Sequence, residues 1–186
     1  MGRFSDNEVE RLKGVAWAVI EQGAERGGQL LSVKAADYPE ALREPRASFV
    51  TLREGDSLRG CMGSLEARSP LVEDVARNAH NAAFKDPRFS PVSSGEIPRL
   101  NLKLSVLTLP EAFPVESEED LLNRIQPGVD GIILKDEGRR ATFLPAVWEA
   151  LPSPREFIRQ LKRKAGLSED HWSERMEILR YRADEY

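Results

Sequence analysis

The chain has 186 residues, of which 40% are hydrophobic and 31% are charged, and its formal net charge is -4 at pH 7. This length matches one ordinary domain, and the apolar content is enough for a packed core, which excludes a disordered chain. The acidic balance creates no global field that attracts a phosphate backbone, so general nucleic-acid binding is disfavoured. We expect a single domain over residues 1–186 with no independent linker.

Cysteine content and hydropathy bear on the cellular compartment. One cysteine makes neither an internal disulfide nor a thiolate zinc site, and this usage is typical of a reducing compartment. No apolar run approaches the ~20 residues needed to cross a bilayer, and the N-terminus lacks the apolar stretch of a secretion signal. The sequence therefore predicts a cytoplasmic protein without membrane contact.

The N-terminal quarter predicts a helix followed by a hairpin. Ser5 and Glu8 have the spacing of a capping box, and hydrophobic residues at helical intervals then predict a helix from about Asp6 to Glu25. The β-prone residues 47–52, a turn, and a second apolar stretch from Ser57 predict two antiparallel strands.

A second helix and a strand are expected next. Ser69-Pro70 is typical of a helix start with Ser69 as the N-cap, so we predict a helix from Pro70 to about Phe84. Asp86-Pro87 ends it, because the residue before a proline is disfavoured in helical geometry. Residues 100–106 alternate between apolar and polar side chains, which is the period of a strand buried on one face.

The last third adds a hairpin, a helix and a strand. Residues 131–135 and 141–144 flank a polar turn and predict the hairpin. Ser153-Pro154 predicts a helix start, Gly166 predicts its end, and a final strand is expected around 176–182. This order lacks regular βα alternation, so the predicted class is α+β, with mainly antiparallel sheets and packed helices.

The segment Leu58-Arg59-Gly60-Cys61-Met62-Gly63 is the strongest candidate for chemistry. In an uninterrupted strand, Arg59 and Cys61 lie on one side, roughly 6–7 Å apart, where a guanidinium stabilises the reactive thiolate. Gly60 and Gly63 leave bare backbone beside the sulfur, suited to the close approach of a ligand or another strand. The alternative is that Cys61 is a small hydrophobe in a core strand.

The turn Asp86-Pro87-Arg88-Phe89 is the second candidate. It presents a carboxylate and a guanidinium after the second helix, where Arg88 can hold an anionic substrate by a bidentate contact. Arg88 together with Asn78 or Asp86 is then expected to orient that substrate. The alternative is a structural turn in which Asp86 and Arg88 pair with their neighbours or cap the helix.

Other polar residues suggest weaker hypotheses. His80 is either a general base or a boundary residue, and His171 is expected to pack or to lie at the surface. The last predicted helix is basic and either contacts an acidic partner or nucleic acid or forms a solvated face. Its basic residues are Arg155, Arg159, Lys162, Arg163 and Lys164. No metal-ligand, dinucleotide-binding or phosphate-loop motif is present, so no metal or cofactor is predicted.

The signature segment around Cys61 resembles that of the AMMECR family, whose bacterial and archaeal members are called AmmeMemoRadiSam system protein A. Met62 stands where the family usually has isoleucine, a change of similar volume. The likeness continues in order along nearly the whole chain. Its further blocks are residues 47–52, 78–89, 105–107, 128–132, 142–148 and 164–167.

The resemblance implies an α+β fold with a larger and a smaller lobe and a cleft near the signature. It also implies two partners, a Memo-like protein and a radical S-adenosylmethionine enzyme.

Three hypotheses for the function follow. The favoured one is an enzyme or enzyme component that acts on a small anionic substrate through Cys61. The second is a non-catalytic adaptor that docks those partners by edge pairing or surface complementarity. The third is a nucleic-acid-associated regulatory protein.

Overall fold

The computed structural model describes residues 4–186 and divides into two compact units. The larger unit runs to Leu107 and includes Asp184–Tyr186, and the smaller unit is Thr108–Ala183. Each contains a four-stranded antiparallel sheet and helices, so the predicted α+β class with a larger and a smaller lobe is confirmed. The single domain over residues 1–186 stays a prediction.

Over the described residues, the helices are α1 (Asp6–Glu25), α2 (Glu40–Arg43), α3 (Leu71–Phe84), α4 (Glu118–Arg124) and α5 (Pro154–Lys164). The strands are β1 (Ser48–Glu54), β2 (Ser57–Gly63), β3 (Leu100–Leu107), β4 (Glu111–Ala112), β5 (Gly131–Asp136), β6 (Arg139–Phe143), β7 (Glu177–Tyr181) and β8 (Ala183–Glu185). Short 3-10 turns lie at Ala35–Asp37, Ile97–Arg99 and Pro145–Glu149.

The predicted helix starts have mixed outcomes. The capping box of Ser5 and Glu8 is present, and α1 has the predicted bounds. The N-cap predicted at Ser69 is wrong, because Pro70 occupies the cap position and the Ser69 hydroxyl accepts a hydrogen bond from Arg77 Nη2 at 3.0 Å instead. α5 begins at Pro154 as predicted, with Ser153 as a cap residue that makes no side-chain cap hydrogen bond.

One face of the larger unit's sheet is buried against α1 and α3. The strand order is β2-β1-β3-β8, which leaves β2 at an edge. Val50, Leu52 and Leu104 point inward and pack with the apolar stripes of the two helices. The alternate residues form the opposite face of the sheet, which we call the outer face. Its partly or largely exposed residues include Phe49, Thr51, Cys61, Lys103 and Ser105.

The smaller unit is built on a sheet of order β4-β7-β5-β6. The predicted hairpin is β5–β6, and Glu137 and Gly138 form its turn with positive φ angles. α5 buries Phe157, whose ring stacks on Trp148 with 3.8 Å between centroids. The predicted last strand corresponds to β7 and is confirmed.

Among residues 4–186, no helix combines the length and the apolarity needed to cross a membrane.

Candidate functional site

The signature strand β2 is irregular at Arg59. In the ladder with β1, Leu52 pairs with Gly60 while Arg53 pairs with Leu58, so Arg59 is the extra residue of a β-bulge. A bulge bends the strand, interrupts its alternation and re-aims a side chain. The regular alternation that places Arg59 on the same side as the cysteine is therefore interrupted at this point.

Arg59 turns toward a carboxylate. Its Nε donates to Glu96 Oε1 at 2.8 Å, and its Nη2 donates to the carbonyl of Ser90 at 2.9 Å. The bond from Arg59, supported by those from Ser93, lowers the pKa of Glu96 to about 2. The buried Nη1 of Arg59 has no partner within the described part of the chain, where no hydrogen bond joins Arg59 to the sulfur of Cys61. Tuning of the thiolate by Arg59 stays a prediction.

Cys61 lies on the outer face and is partly exposed. Thr51 is its directly opposed residue on β1, and the Thr51 hydroxyl is 3.3 Å from the sulfur. The backbone of Cys61 points away from β1, where its N–H donates to Asp86 Oδ2 at 2.9 Å and its carbonyl accepts from Arg88 Nη2 at 3.3 Å. Cys61 is thus held through its backbone, and its side chain is not part of the buried core.

Asp86 and Arg88 form what we call the Asp86–Arg88 fork. Arg88 donates from Nε to Asp86 Oδ1 at 2.9 Å and from Nη2 to Oδ2 at 2.7 Å. The Asp86 side chain is 2% exposed, whereas that of Arg88 is 53% exposed. The hydrogen bonds from Arg88 hold the pKa of Asp86 well below its usual range, despite the opposing effect of burial, and the Cys61 N–H contributes. The fork is therefore an ion pair, with its carboxylate inside and its cation outside.

Phe89 supports both arginines. The Arg88 guanidinium carbon lies 5.5 Å from the ring centroid and that of Arg59 lies 5.8 Å from it, which are distances of cation–π contact. Arg88 Nη1 makes no hydrogen bond to any residue from 4 to 186. One nitrogen of an immobilised, exposed guanidinium thus remains available beside Cys61.

The two signature glycines have a packing explanation. A Cβ at Gly60 would lie 2.1 Å from the carbonyl oxygen of Ala82 on α3, and a Cβ at Gly63 would lie 2.2 Å from the ring of Phe49. Real Cβ atoms do not approach so closely, so helix and ring contacts require glycine at both positions. Contact of their backbones with a substrate stays a prediction.

Asn78 belongs to a different set of contacts. Its amide nitrogen donates to the carbonyl and hydroxyl of Ser48, to the Ser64 hydroxyl at 3.2 Å and to Asp74 Oδ2 at 2.9 Å. All are groups that fasten α3 to the ends of β1 and β2. The structure brings Cys61 and the fork together, and it places Asn78 in this buried network instead.

The histidines lie elsewhere. His80 is buried and its Nε2 is 2.7 Å from the carbonyl oxygen of Gly28, so it links α3 to the end of α1. In the smaller unit, His171 Nε2 is 2.6 Å from Asp136 Oδ2, which also accepts from Ser173. The His171 contact is the main cause of the lowered pKa of Asp136. Within the described ranges, no three His, Cys, Asp or Glu residues come together as a metal site.

Several basic side chains of α5 lie close to acidic residues. Lys162 is fully buried, and its Nζ donates to Glu118 at 2.7 Å. Arg159 and Arg163 both lie near Glu169, at 3.7 and 3.6 Å. The sequence of α5 is basic, but these acidic neighbours reduce the positive charge that the folded helix presents at its surface.

Two residues of this region, Glu96 and Thr51, are not among the candidates predicted from the sequence. Glu96 ends the pattern Ser93-Ser94-Gly95-Glu96, which has the serine-to-glutamate spacing of a capping box, so a signal for it was present. Thr51 has no such signal. Only the register of β1 against β2 places its hydroxyl next to the sulfur.

The AMMECR1 family matches residues 14–186, which include β2, the fork, most of the larger unit and all of the smaller unit. The chain belongs to the AMMECR1 family. It is 37% identical to a protein of Methanothermobacter thermautotrophicus over 172 residues, covering 90% of this chain and 86% of that protein. It is 34% identical to a protein of Thermofilum pendens, covering 92% of this chain and 85% of the relative.

A solved structure is similar as well. The crystal structure of an uncharacterized protein from Pyrococcus horikoshii superposes with a TM-score of 0.76 at 31% sequence identity. The match covers 98% of this chain and 92% of the Pyrococcus chain. This similarity supports the fold and identifies no reaction.

Proposed function

We propose that the Cys61 site of this AMMECR1 protein binds a small anionic substrate, with Arg88 as its anion-binding group and Cys61 as its nucleophile. One observation carries the proposal. The fork holds both backbone groups of Cys61, while Cys61 stays partly exposed and Arg88 keeps one nitrogen without a hydrogen-bond partner among residues 4–186. A rigid cation beside a partly exposed cysteine suits a substrate that is both anionic and electrophilic.

Arg88 supplies the positive charge at this site. The hydrogen bond with Asp86 is the main cause of its raised pKa, and attraction to a negative Cys61 adds a smaller contribution in the same direction. By contrast, the charge of Arg59 is matched by Glu96 at 2.8 Å. In the proposed mechanism Arg88 draws the anionic substrate to the sulfur, and the Thr51 hydroxyl lies within hydrogen-bond distance of the sulfur and helps to fix its position.

Asp86 acts as a positioning residue. Its buried carboxylate binds the Cys61 N–H and two sites on the Arg88 guanidinium, so it sets the distance between thiol and cation. The Nη1 group of Arg88 remains as a charged donor for a carboxylate or a phosphate group. Binding of the anion through Nη1 requires no release of Asp86.

The fork also bears on the adaptor alternative. An incoming strand pairs with an edge through free N–H and C=O groups. At Cys61 both of these groups are already bonded to Asp86 and Arg88. Edge pairing there requires the fork to open, so this geometry favours ligand binding over strand addition.

We extend the proposal to the partners that the AMMECR resemblance implies, a Memo-like protein and a radical S-adenosylmethionine enzyme. A pull-down with each purified partner at physiological salt tests the extension. Wild type and Cys61→Ser are both expected to retain the partners, because the thiol acts on substrate. Failure of the wild type to retain either one would remove this part of the proposal.

The substrate-binding proposal is tested by alkylation of Cys61, the chain's one cysteine, with iodoacetate and iodoacetamide. The first reagent is anionic and the second is neutral, so the ratio of their rate constants reports the charge near the sulfur. Arg88→Gln is expected to lower this ratio about five-fold, which corresponds to roughly 1 kcal/mol of charge interaction. Arg88→Lys is expected to retain most of the wild-type ratio, because lysine keeps the positive charge.

The matched control is Arg11→Gln, which removes an exposed arginine of α1. It should leave the ratio of the two rate constants at the wild-type value. Circular dichroism establishes that each variant is folded. An unchanged ratio in folded Arg88→Gln would overturn the proposal.

A further inference from the structure

The register of the larger unit's sheet aligns three polar side chains in one row. Cys61 on β2 is directly opposite Thr51 on β1, and Thr51 is directly opposite Lys103 on β3. All three lie on the outer face, away from the core formed with α1 and α3. The row therefore runs across the strands as thiol, hydroxyl and ammonium.

This row has a cation at each end. Arg88 contacts the outer edge of β2 through the carbonyl of Cys61. Lys103 lies two strands further in, and neighbouring strands are about 4.8 Å apart, so roughly 10 Å separates the backbones of Cys61 and Lys103. The Cys61 sulfur and the Thr51 hydroxyl lie between the two cations.

Lys103 has a partner that is easily exchanged. Its Nζ lies 2.7 Å from Glu185 of β8, and the side chains of Lys103 and Glu185 are 49% and 58% exposed. An exposed pair of this kind contributes little stability and is screened by salt. An anionic group of a ligand can therefore replace Glu185 with little loss of stability.

We propose that Lys103 is a second anion subsite, and that the site takes a substrate with two anionic groups separated by roughly the width of two strands. The inference rests on the proposed function, because it assumes that Arg88 binds the first anion. One anionic group pairs with Arg88 and the other with Lys103. The stretch between them then passes over Cys61 and Thr51.

Protection of Cys61 from iodoacetamide tests the two-anion substrate. The probes are suberate, a linear dicarboxylate, and octanoate, which has the same chain length and one carboxylate. In wild type we expect suberate to protect at a concentration about five-fold lower than octanoate, because it makes a second charge contact. In Lys103→Gln the protective concentrations of suberate and octanoate should agree within about two-fold. Lys103→Arg should keep the preference for suberate.

Two further variants sharpen the result. Glu185→Gln removes the competing carboxylate and should increase the preference for suberate. Lys135→Gln removes a lysine with a comparable exposed partner, Glu177, in the smaller unit and should leave the preference unchanged.

The outcomes separate this inference from the proposed function. Equal protection by suberate and octanoate in wild type, lost for both in Arg88→Gln, would overturn the second subsite and leave the Arg88 site standing. A suberate preference that survives Lys103→Gln would overturn the assignment to Lys103. Absence of protection by either probe in wild type would contradict the proposed function and this inference together.

Discussion

Two buried aspartates fasten α3 to the sheet of the larger unit, one near each end of the helix. Asp74 accepts hydrogen bonds from the N–H and the hydroxyl of Ser48 at the start of β1, at 2.9 and 2.7 Å. Asp86 accepts one from the N–H of Cys61 on β2. Each carboxylate also pairs with a nearby arginine, Arg77 or Arg88. The two anchors use the same chemistry.

Their surroundings differ. The remaining partners of Asp74 are the Asn78 amide nitrogen and the Ser64 hydroxyl, which belong to the same network. Asp86 instead holds Cys61, a partly exposed residue with a nucleophilic side chain. A network of amide and hydroxyl groups accounts for stability, whereas a network that fixes a partly exposed cysteine also presents a reactive group. We therefore assign a structural role to Asp74 and Asn78 and a functional role to the fork.

Substitution of Asp74 is expected to give the largest loss of stability and so tests its structural role. Asp74→Ala removes the acceptor of the buried Ser48 N–H and hydroxyl and breaks the ion pair with Arg77, so the free energy of unfolding should fall by about 3–5 kcal/mol. Urea denaturation measures the change. Asp120→Ala, which removes a partly exposed aspartate of α4 that pairs with Arg124, should cost less than about 1 kcal/mol. Similar losses in the two variants would show that the Asp74 network is not a structural anchor.

A smaller effect is expected where β2 contacts α3. Gly60→Ala forces a Cβ against the carbonyl of Ala82 and should lower the free energy of unfolding by about 1–3 kcal/mol. Gly14→Ala is the matched control, because no atom of residues 4–186 beyond its chain neighbours and the local α1 backbone lies within 4 Å of the added methyl. That change should stabilise the helix by about 0.5–1 kcal/mol. A Gly60→Ala variant as stable as wild type would contradict the packing explanation for this glycine.

The smallest stability effect concerns Glu96 and depends on pH. Its pKa is about 2 in the folded protein, below the value near 4.3 in an unfolded chain. The stabilisation is therefore complete above the unfolded pKa and is lost as the pH falls through the folded one. Glu96→Gln should be less stable than wild type by about 1–2 kcal/mol at pH 7.

The difference between wild type and Glu96→Gln should shrink between about pH 4.5 and pH 2. Urea midpoints across this range measure it. Glu10→Gln, at an exposed position of α1, serves as the control and should track wild type throughout. A difference that stays constant down to pH 2 would show that the Arg59–Glu96 pair does not stabilise the fold.

Local signals explain most of the secondary structure that could be predicted. The capping box and apolar period of α1 lie within a few residues of one another, as do the strand and turn signals of both hairpins. α4 was missed because it has seven residues and buries only Leu121, too little for a periodic pattern. Ser69 failed as a cap because its hydroxyl binds a side chain, which a local pattern does not reveal.

Most residues of the candidate site could be predicted from the sequence, but the hydrogen bonds that join them could not. The sequence singled out Arg59, Cys61, Asp86 and Arg88, and the structure joins the last three by hydrogen bonds. The bulge that re-aims Arg59 depends on how β2 pairs with β1, a long-range property. The bidentate contact expected between Arg88 and a substrate is made in the structure with its own Asp86, two residues away.

In the proposed mechanism, Arg88 and not Arg59 is the cation that acts at the Cys61 thiol. The most direct measurement compares Arg59→Gln with Arg88→Gln, using the selectivity of Cys61 for iodoacetate over iodoacetamide. We predict that selectivity drops about five-fold in Arg88→Gln and stays within about two-fold of wild type in Arg59→Gln. The reverse pattern, with the loss confined to Arg59→Gln, would contradict the account.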